Sequence, residues 1–390
     1  MANTLTNLIP TLYEALNVVS REMVGFIPAV TRDANVTRAA VGQTVRSPIA
    51  AVAAAQDITP AVTAPNAGDS TPTFVDVTMT KARAVPIRWN GEEQRAMGTG
   101  DTAQGRNIMR DQFAEGMRKL VNEMEVDLAV VAKTNSSRAY GTAGTTPFAT
   151  AGDLSDIAQL RKILEDNGAP TSDLQFVMNS AAMANLRGKQ SVLFKVNEAG
   201  SSDMLRDGMT DRLQGFALRN SAGVTLHTKG TATGALINNA SGEAVGETTL
   251  ALDTITAGVT GILAGDVVTF AADTANKYVV NTGLNAASGN IVIGKPGALI
   301  LLPDNNAMTI GNNYTGNFGF SRQALLLAQR LPALPEGGDM ADDRTTITDP
   351  ISGLTFEVAV YRQYRQVYYE IAAVWGVAAP NGAHLATLLG

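Results

Sequence analysis

The chain contains no cysteine among its 390 residues. This absence excludes disulfide frameworks, thiolate nucleophiles and any zinc site built on sulfur. Histidine is almost as scarce: there are two, His227 and His384, in separate segments. They do not form a pair with metal-ligand spacing, and a Ser/His/Asp triad would have only a poor candidate for its base. We therefore expect no metal, no cofactor and no enzymatic activity.

Charge is also in short supply. Charged residues make up 17% of the chain and hydrophobic residues 45%, with a formal net charge of −6. A low charged fraction is expected where much of the surface is buried against neighbouring molecules. The acidic balance argues against a protein that neutralises DNA phosphates. An acidic subunit could still enclose DNA, since a weakly repelling wall lets the polymer slide.

Phosphate-binding and nucleophile motifs are missing. Gly188-Lys189 is followed by glutamine and Gly294-Lys295 by proline, so neither ends in the Lys-Ser/Thr pair of a nucleotide P-loop. A G-x-S-x-G elbow is absent. The acidic cluster Asp339, Asp342 and Asp343 has no calcium-loop spacing. The sequence thus offers little support for an enzyme.

No targeting or membrane segment is predicted. The first charged residue is Glu14, with no basic leader before it. The uncharged run 371–390 has the length of a membrane span, but it contains Pro380, Asn381 and Gly382. We interpret this run as a strand, a turn and a tail, and we expect a soluble protein.

Two helices are predicted in the first third of the chain. Apolar residues at helical spacing predict a short helix over 4–23, docked on its own domain or on a neighbouring subunit. The strongest signal covers 101–135, where an apolar stripe faces a charged side. Such a helix would be roughly 50 Å long. The stripe consists of Ile108, Phe113, Met117, Leu120, Met124, Leu128 and Val131.

Between these helices the pattern predicts a long hairpin over 45–89. One apolar strand covers 45–52, and a second alternates from Phe74 to Met79 before Val85, Ile87 and Trp89. The connecting segment 57–71 is rich in Pro, Ala, Thr and Gly and has no hydrophobic pattern. A loop of this length is usually functional or mobile, although an ordinary flexible surface loop is the alternative.

The rest of the chain is predicted to be mixed α+β. Residues 153–167 form a helix with Asp153 as N-cap and Gly168 as the stop. A strand over 174–178 and a short helix over 180–187 follow, and 354–361 and 366–376 are typical of half-buried strands. The order lacks the regular alternation of a doubly wound sheet.

A change in composition marks an inserted β-domain over 226–311. No arginine occurs between Arg219 and Arg322, although arginine is frequent on both sides. Short strand-like runs separated by glycine turns predict a small β-barrel or sandwich. These runs cover 248–252, 266–270, 278–280, 291–293 and 298–302.

This order of segments resembles that of the tailed-bacteriophage major capsid proteins, which share the Hong Kong 97 fold. It is most similar to the podovirus-type coat proteins that carry an inserted domain. Three stretches carry the likeness: 206–216 (RDGMTDRLQGF), 228–234 (TKGTATG) and 370–377 (EIAAVWGV). Together with the segment order, the resemblance covers nearly the whole chain.

The resemblance implies five parts: an N-terminal arm (1–44), an extended loop over a neighbouring subunit (45–97), a spine helix with a peripheral domain (98–200 with 362–390), an axial domain around the symmetry axis (201–225 and 312–361) and the insertion (226–311). Intersubunit contacts are expected from the extended loop, at Asp57, Thr59, Pro60, Asp69 and Thr71.

It also implies a function and partners. Copies of the chain would form hexamers and pentamers of an icosahedral head that encloses double-stranded DNA without sequence-specific binding, with no membrane involved. The chain starts directly at the arm, so a separate scaffolding protein is expected, together with a portal protein. Assembly would take place in the host bacterial cytoplasm and end in the virion. Because 45–80 contains no lysine, the loop cross-links of some relatives are not expected.

Three alternatives stay open. A host-encoded nanocompartment (encapsulin-like) shell shares the fold, but it normally lacks the inserted domain and binds a cargo enzyme. A phage tail-tube or decoration protein seldom needs so long a helix. An enzyme is the weakest alternative, because no catalytic constellation is found.

Overall fold

The computed structural model describes residues 8–23, 25–49, 58, 60, 73–96, 103–150, 153–188 and 212–390. Over these ranges the protein is mixed α+β, as predicted. The helices are α1 Ile9–Glu22, α2 Phe26–Ala29, α3 Gly91–Ala96, α4 Ala103–Asn135, α5 Ser155–Asp166 and α6 Ser180–Arg187. None of these helices is both long and apolar enough to cross a membrane.

The long helix α4 packs along one side of the main core. Phe113, Met117, Leu120, Met124 and Leu128 are each at most 1% exposed, which fits one stripe at helical spacing. Gly116 lies in the same contact, where a Cβ would come within 2.9 Å of the Ile371 side chain. The predicted stripe is too long at one end, because Ile108 is exposed.

Six of the described strands form a sheet against α4: β1 Thr31–Ala39, β4 Lys81–Asn90, β17 Leu326–Pro332, β18 Asp343–Thr348, β19 Thr355–Gln363 and β20 Gln366–Ala378. Their order is β1–β17–β20–β19–β18, and β4 pairs with ten residues of β20, from Asn90↔Gln366 to Lys81↔Trp375. The apolar face of the sheet and α1, α2 and α4 share one hydrophobic core. The strands β19 and β20 lie close to the predicted bounds.

A second sheet contains thirteen of the described strands. Seven of them lie in the body or at its junction with the insertion: β5 Arg138–Tyr140, β6 Leu174–Met178, β7 Arg212–Leu213, β8 Phe216–Asn220, β9 Leu226–His227, β16 Tyr314–Ser321 and β21 Leu385–Leu389. The strand β16 pairs with β21, β6 and β9. The helices α5 and α6 cover this sheet and share a second core with it. The predicted tail after 376 is therefore wrong, because β21 is a buried strand.

The other six strands belong to the insertion: β10 Leu236–Ile237, β11 Thr249–Asp253, β12 Val267–Phe270, β13 Asp273–Thr282, β14 Gly289–Ile293 and β15 Met308–Ile310. Their buried core draws only on residues between Ala232 and Met308. The predicted strand 298–302 is wrong. In this stretch only Leu302 makes a β-bridge, to Glu243, because the backbone bends at residues 299 and 300.

The buried cores draw on residues from both the predicted peripheral and the predicted axial part. The segments α5, β6 and α6 share their core with β21, predicted to lie in the same part, and with β8, predicted to lie in the axial domain. The strands β17 and β19, predicted to lie in the other domain, pack against α4. The physical reason is that an apolar face predicts burial but does not identify its partner.

Helix ends follow the predicted chemistry only in part. Gly168 has φ 73° after α5, and the next amide, Ala169 N–H, donates to Leu164 O; both fit a glycine stop. Asp153 is not the N-cap residue, because Leu154 occupies that position. The Asp153 carboxylate instead accepts hydrogen bonds from the Ser155 amide (2.8 Å) and hydroxyl (3.0 Å). The side chain that caps this helix therefore belongs to the residue just before the N-cap position.

Candidate assembly surfaces

The hairpin is the first candidate surface. Its strands are β2 Thr44–Ile49 and β3 Thr73–Thr78, antiparallel and separate from both large sheets. Of the five predicted contact residues, only Pro60 lies in the described part of the chain, and it is exposed. Asp57, Thr59, Asp69 and Thr71 lie outside the described residues. The neighbouring Ile58 is 98% exposed.

The side chains of the hairpin present a charged and aromatic surface. Arg46 Nε lies 2.9 Å from Asp76 Oδ1 across the two strands, and this hydrogen bond lowers the pKa of Asp76. The Arg46 guanidinium also lies 5.3 Å from the centre of the Phe74 ring, which is 52% exposed. An exposed aromatic ring beneath an arginine is a common feature of protein interfaces. The alternation of polar and apolar residues predicted these strands but not this cluster.

The base of the hairpin is fixed to the first sheet. Val77 and Met79 are buried against Ala328 and Val374, and the Thr80 amide donates to Trp375 O at 3.0 Å. A Cβ on Gly376 would lie 2.1 Å from Thr78 O. Only glycine at this position of β20 therefore allows the end of β3 to pass so close. The described strands therefore leave the body from a rigid root.

The N-terminal segment docks on its own subunit. Glu125, on α4, accepts hydrogen bonds from the Phe26 amide (2.8 Å), the Ile27 amide (2.7 Å) and the Ser221 hydroxyl (2.7 Å). Burial raises the pKa of this carboxyl, and the three donors oppose that effect. The sequence left open whether the first helix docks on its own domain or on a neighbouring subunit. The structure shows it docked on its own domain. A carboxylate on the buried face of α4 was the signal in the sequence, and it was missed.

The salt bridge between Arg118 and Glu22 holds the end of α1 against α4. Arg118 Nε lies 2.7 Å from Glu22 Oε2, and Arg118 Nη2 donates to Glu22 Oε1 at 3.0 Å. Both side chains are partly exposed, so the pair contributes modestly to stability. The arm is thereby held by a buried carboxylate at one end and by a surface ion pair nearby.

Strand pairing joins the insertion to the body, and a buried carboxylate fixes the start of the insertion. The strand β13 pairs with β5 at Lys277↔Ala139 and Tyr278↔Arg138. Asp266 is fully buried and accepts from the Gly230 amide (3.1 Å) and the Leu263 amide (2.8 Å), and its Oδ1 lies 2.9 Å from His227 Nε2. This histidine thus lies in a structural hydrogen-bond network.

The described residues offer little chemistry besides. They contain no group of three His, Asp or Glu residues able to hold a metal ion. His227 is buried beside Asp266, whereas His384 contacts Asn381 at 2.9 Å, so the structure does not bring the two histidines together. Asp339, from the acidic cluster, forms an ion pair with Arg344. These groups are satisfied by structural partners.

A search of curated proteins gave no match. Residues 91–276, just under half of the chain, match the family model "P22 coat protein - gene protein 5". This range begins at α3 and ends in β13, so it contains α4 and much of the insertion.

Solved structures with similar backbones have low identity. A capsid structure of cyanophage P-SCSP1u is 11% identical at a TM-score of 0.48, covering 94% of this chain and 88% of that chain. A chain from Mycobacterium phage Che8 is 13% identical at 0.43, covering 91% and 94%. A virus-like particle from Pyrococcus furiosus is 9% identical at 0.42, covering 98% and 99%.

Proposed function

We propose that this chain, which matches the P22 coat protein family over residues 91–276, is the major capsid protein of a tailed bacteriophage and forms an icosahedral shell. The family match carries this conclusion, and it confirms the resemblance drawn from the sequence. The mixed α+β architecture, with a 33-residue helix against a long-stranded sheet and a separate hairpin, supports it. The match favours a phage coat protein over a nanocompartment shell.

We further propose how the parts act in assembly. The hairpin reaches a neighbouring subunit through its exposed Phe74 and Arg46 and through the segment 57–71. The segment 226–311 acts as an inserted domain that stiffens the capsomer, because it has its own core and is joined to β5 by strand pairing. The same subunit forms both hexamers and pentamers by packing at different curvatures of the shell.

The proposed partners are a separate scaffolding protein, a portal protein and the enclosed double-stranded DNA. The formal net charge of −6 is consistent with a wall that does not bind DNA tightly. Assembly takes place in the host cytoplasm and the mature protein is a component of the virion. The role is structural, and catalysis by this chain is not part of the proposal.

The experiment is co-expression of the full chain with its scaffolding protein in bacteria. We expect closed particles of uniform diameter by negative-stain microscopy and a fast-sedimenting species. The particles should resist dilution yet give one band near 40.8 kDa after boiling in detergent, because the chain has no cysteine and no lysine in 45–80. A strictly monomeric product would contradict the shell, and a ladder of covalent oligomers would contradict the non-covalent contacts.

A further inference from the structure

An asparagine followed by a glycine forms a succinimide ring readily, because the glycine carries no side chain that would hinder attack of its nitrogen on the asparagine Cγ. The chain contains three such dipeptides, Asn90-Gly91, Asn167-Gly168 and Asn381-Gly382. Each lies in a turn or at the end of a helix or strand. Their contacts differ, and only Asn381-Gly382 leaves the reacting groups available.

The first two dipeptides are held by hydrogen bonds on both reacting groups. The Gly91 and Gly168 amides donate to backbone oxygens at 3.2 and 2.9 Å. The Asn90 side-chain oxygen accepts from a backbone amide at 2.7 Å, and the Asn167 side-chain nitrogen donates to Ala383 O at 2.7 Å. In both dipeptides the attacking nitrogen and the side-chain amide must give up hydrogen bonds before they react.

The third dipeptide lacks these restraints. Within the described residues the Gly382 amide has no hydrogen-bond acceptor. Asn381 is exposed, and its Nδ2 lies 2.9 Å from His384 Nδ1. Burial lowers the pKa of His384, and a backbone hydrogen bond with Asn167 opposes that effect, so the imidazole is neutral at neutral pH. A neutral ring nitrogen therefore lies against the amide nitrogen that would leave.

We propose that Asn381 is a site of deamidation assisted by His384. The Gly382 nitrogen forms a bond to Asn381 Cγ, and its proton passes through the imidazole to the side-chain nitrogen, which leaves as ammonia when the Cγ–N bond breaks. Water then adds to the succinimide and opens one of its two ring C–N bonds, which gives aspartate or isoaspartate. Water is the only co-reactant, and no group is oxidised or reduced.

Rotation of one peptide controls the rate. The Asn381 ψ of 69° turns the Gly382 nitrogen away from the Asn381 side chain, so the ring cannot close until this angle changes. The rotation breaks the hydrogen bond from the His384 amide to Asn381 O, which is 3.0 Å long. It breaks none at the Gly382 amide, in contrast to the other two glycines. We therefore expect a slow reaction of the folded protein at this position.

The turn that carries Asn381 connects several elements. A Cβ on Gly382 would lie 2.5 Å from Asn135 O at the end of α4, so glycine is required there. Ala383 O accepts the hydrogen bond from Asn167 at the end of α5, and β21 follows directly. Deamidation adds a negative charge to this turn, and isoaspartate also adds a carbon to its backbone. We therefore expect the modification to loosen the attachment of β21 to the second sheet.

The test follows the three asparagines in one sample of the purified full-length protein. The protein is incubated in H₂¹⁸O at slightly alkaline pH and then digested, and its peptides are analysed by mass spectrometry. Incorporated ¹⁸O separates deamidation during the incubation from deamidation during digestion. His384→Gln removes the imidazole, and Asn381→Gln is the matched control without the reactive side chain. A parallel sample in urea gives the rate of each dipeptide without the folded structure.

We expect Asn381 to react at least about 10-fold faster than Asn90 and Asn167 in the folded protein, because the other two must first break hydrogen bonds. In urea the three rates should be similar. His384→Gln should slow the reaction of folded Asn381 by about 10-fold or more, because the proton relay is lost. The midpoint of thermal unfolding should fall as Asn381 is modified, and it should stay constant in Asn381→Gln.

Two results would overturn the proposal: equal rates at the three asparagines in the folded protein, or an unchanged rate at Asn381 in a folded His384→Gln variant. The rates at Asn90 and Asn167 report on folding, because both rise if a variant unfolds. In that case the wild type decides. Its rate at Asn381 relative to urea should fall as the pH is lowered and His384 takes up a proton, and a constant ratio would refute the relay. Assembly into a shell is not needed for any of these measurements.

Discussion

The insertion and the hairpin are both made of antiparallel strands, but they are stabilised in opposite ways. Most buried apolar side chains of the insertion form a core of their own, drawn from residues 232–308, while Val267 and Val279 pack with Ala139, Tyr314 and Leu389 of the body. The described hairpin strands pair only with each other, and their buried residues Val77 and Met79 pack against the first sheet. One region is stabilised from within and the other depends on what it contacts. This difference suits a stiffening part and a connecting part of a shell.

The strongest test of the comparison is to express the two regions alone. Residues 226–311 should be soluble and β-rich, and should unfold cooperatively, because about 86 residues exceed the size at which domains usually need staples. A peptide covering 44–78 should be unfolded, since an isolated two-stranded hairpin is marginal at best in water. Circular dichroism and amide dispersion in NMR check both. A disordered insertion fragment would show that its strands depend on the body and that the boundaries are wrong.

The second prediction concerns the core of the insertion in the full chain. Phe270 is 1% exposed, and its ring lies 5.7 Å from that of Tyr278. Phe270→Ala should lower the free energy of unfolding by about 3–5 kcal/mol, because it leaves a cavity. The control Val245→Ala, at a position 66% exposed, should change it by less than about 0.5 kcal/mol. Urea titration measures both, and equal effects would contradict the enclosed core.

The third prediction concerns the hairpin root. Gly376→Ala places a Cβ against Thr78 O, so we expect a loss of about 1–3 kcal/mol through overpacking. The control is Gly91→Ala, where the added Cβ meets open space. Denaturant titration of the monomer gives the stability, and hydrogen exchange at Thr80 reports the root itself. An unchanged exchange rate at Thr80 would show that the crossing is not tight.

The smallest effect on the monomer is expected at the hairpin tip. Replacing 57–71 by a short Gly/Ser turn leaves the paired residues Thr44–Ile49 and Thr73–Thr78 intact, so the unfolding midpoint should not change. Particle yield on co-expression should fall, because the segment no longer contacts a neighbour. Arg46→Gln should act in the same direction more weakly, by removing the charge over Phe74. A normal particle yield with the replaced tip would show that this segment is only a surface loop.

Local patterns predicted much of the fold. The strand β6 and helix α6 match their predicted residues, because both depend on residues that lie close together in the sequence; in the structure the Asn179 side chain caps the start of α6. The helix α4 was predicted from its stripe of apolar residues, although the prediction placed Ile108 on the buried face and the structure leaves it exposed. What could not be predicted was which strands and helices contact one another. Nothing in the sequence near 87 indicates that β4 leaves the hairpin and pairs with β20.

The candidate site was harder to predict for the same reason. The contacts of Glu125 join residues that are 96 to 99 positions apart. The spacing of residues along the chain carries no information on contacts between residues so far apart in the sequence. The segment 57–71 was recognisable from composition alone, but its predicted contacts stay a prediction, because only Ile58 and Pro60 lie within the described residues there.

The position of β21 has a consequence for the order of folding. Its residues 387 and 388 pair with 139 and 140 on β5, and Leu385 O accepts from the Ser137 hydroxyl 248 positions earlier. At typical synthesis rates, β5 would wait on the order of 10–50 seconds for this partner. The insertion has its contacts within one short span and should fold well before then. We expect a long-lived intermediate with a folded insertion and an open second sheet, in which unpaired edges of β5 and β16 are the sites most prone to aggregation.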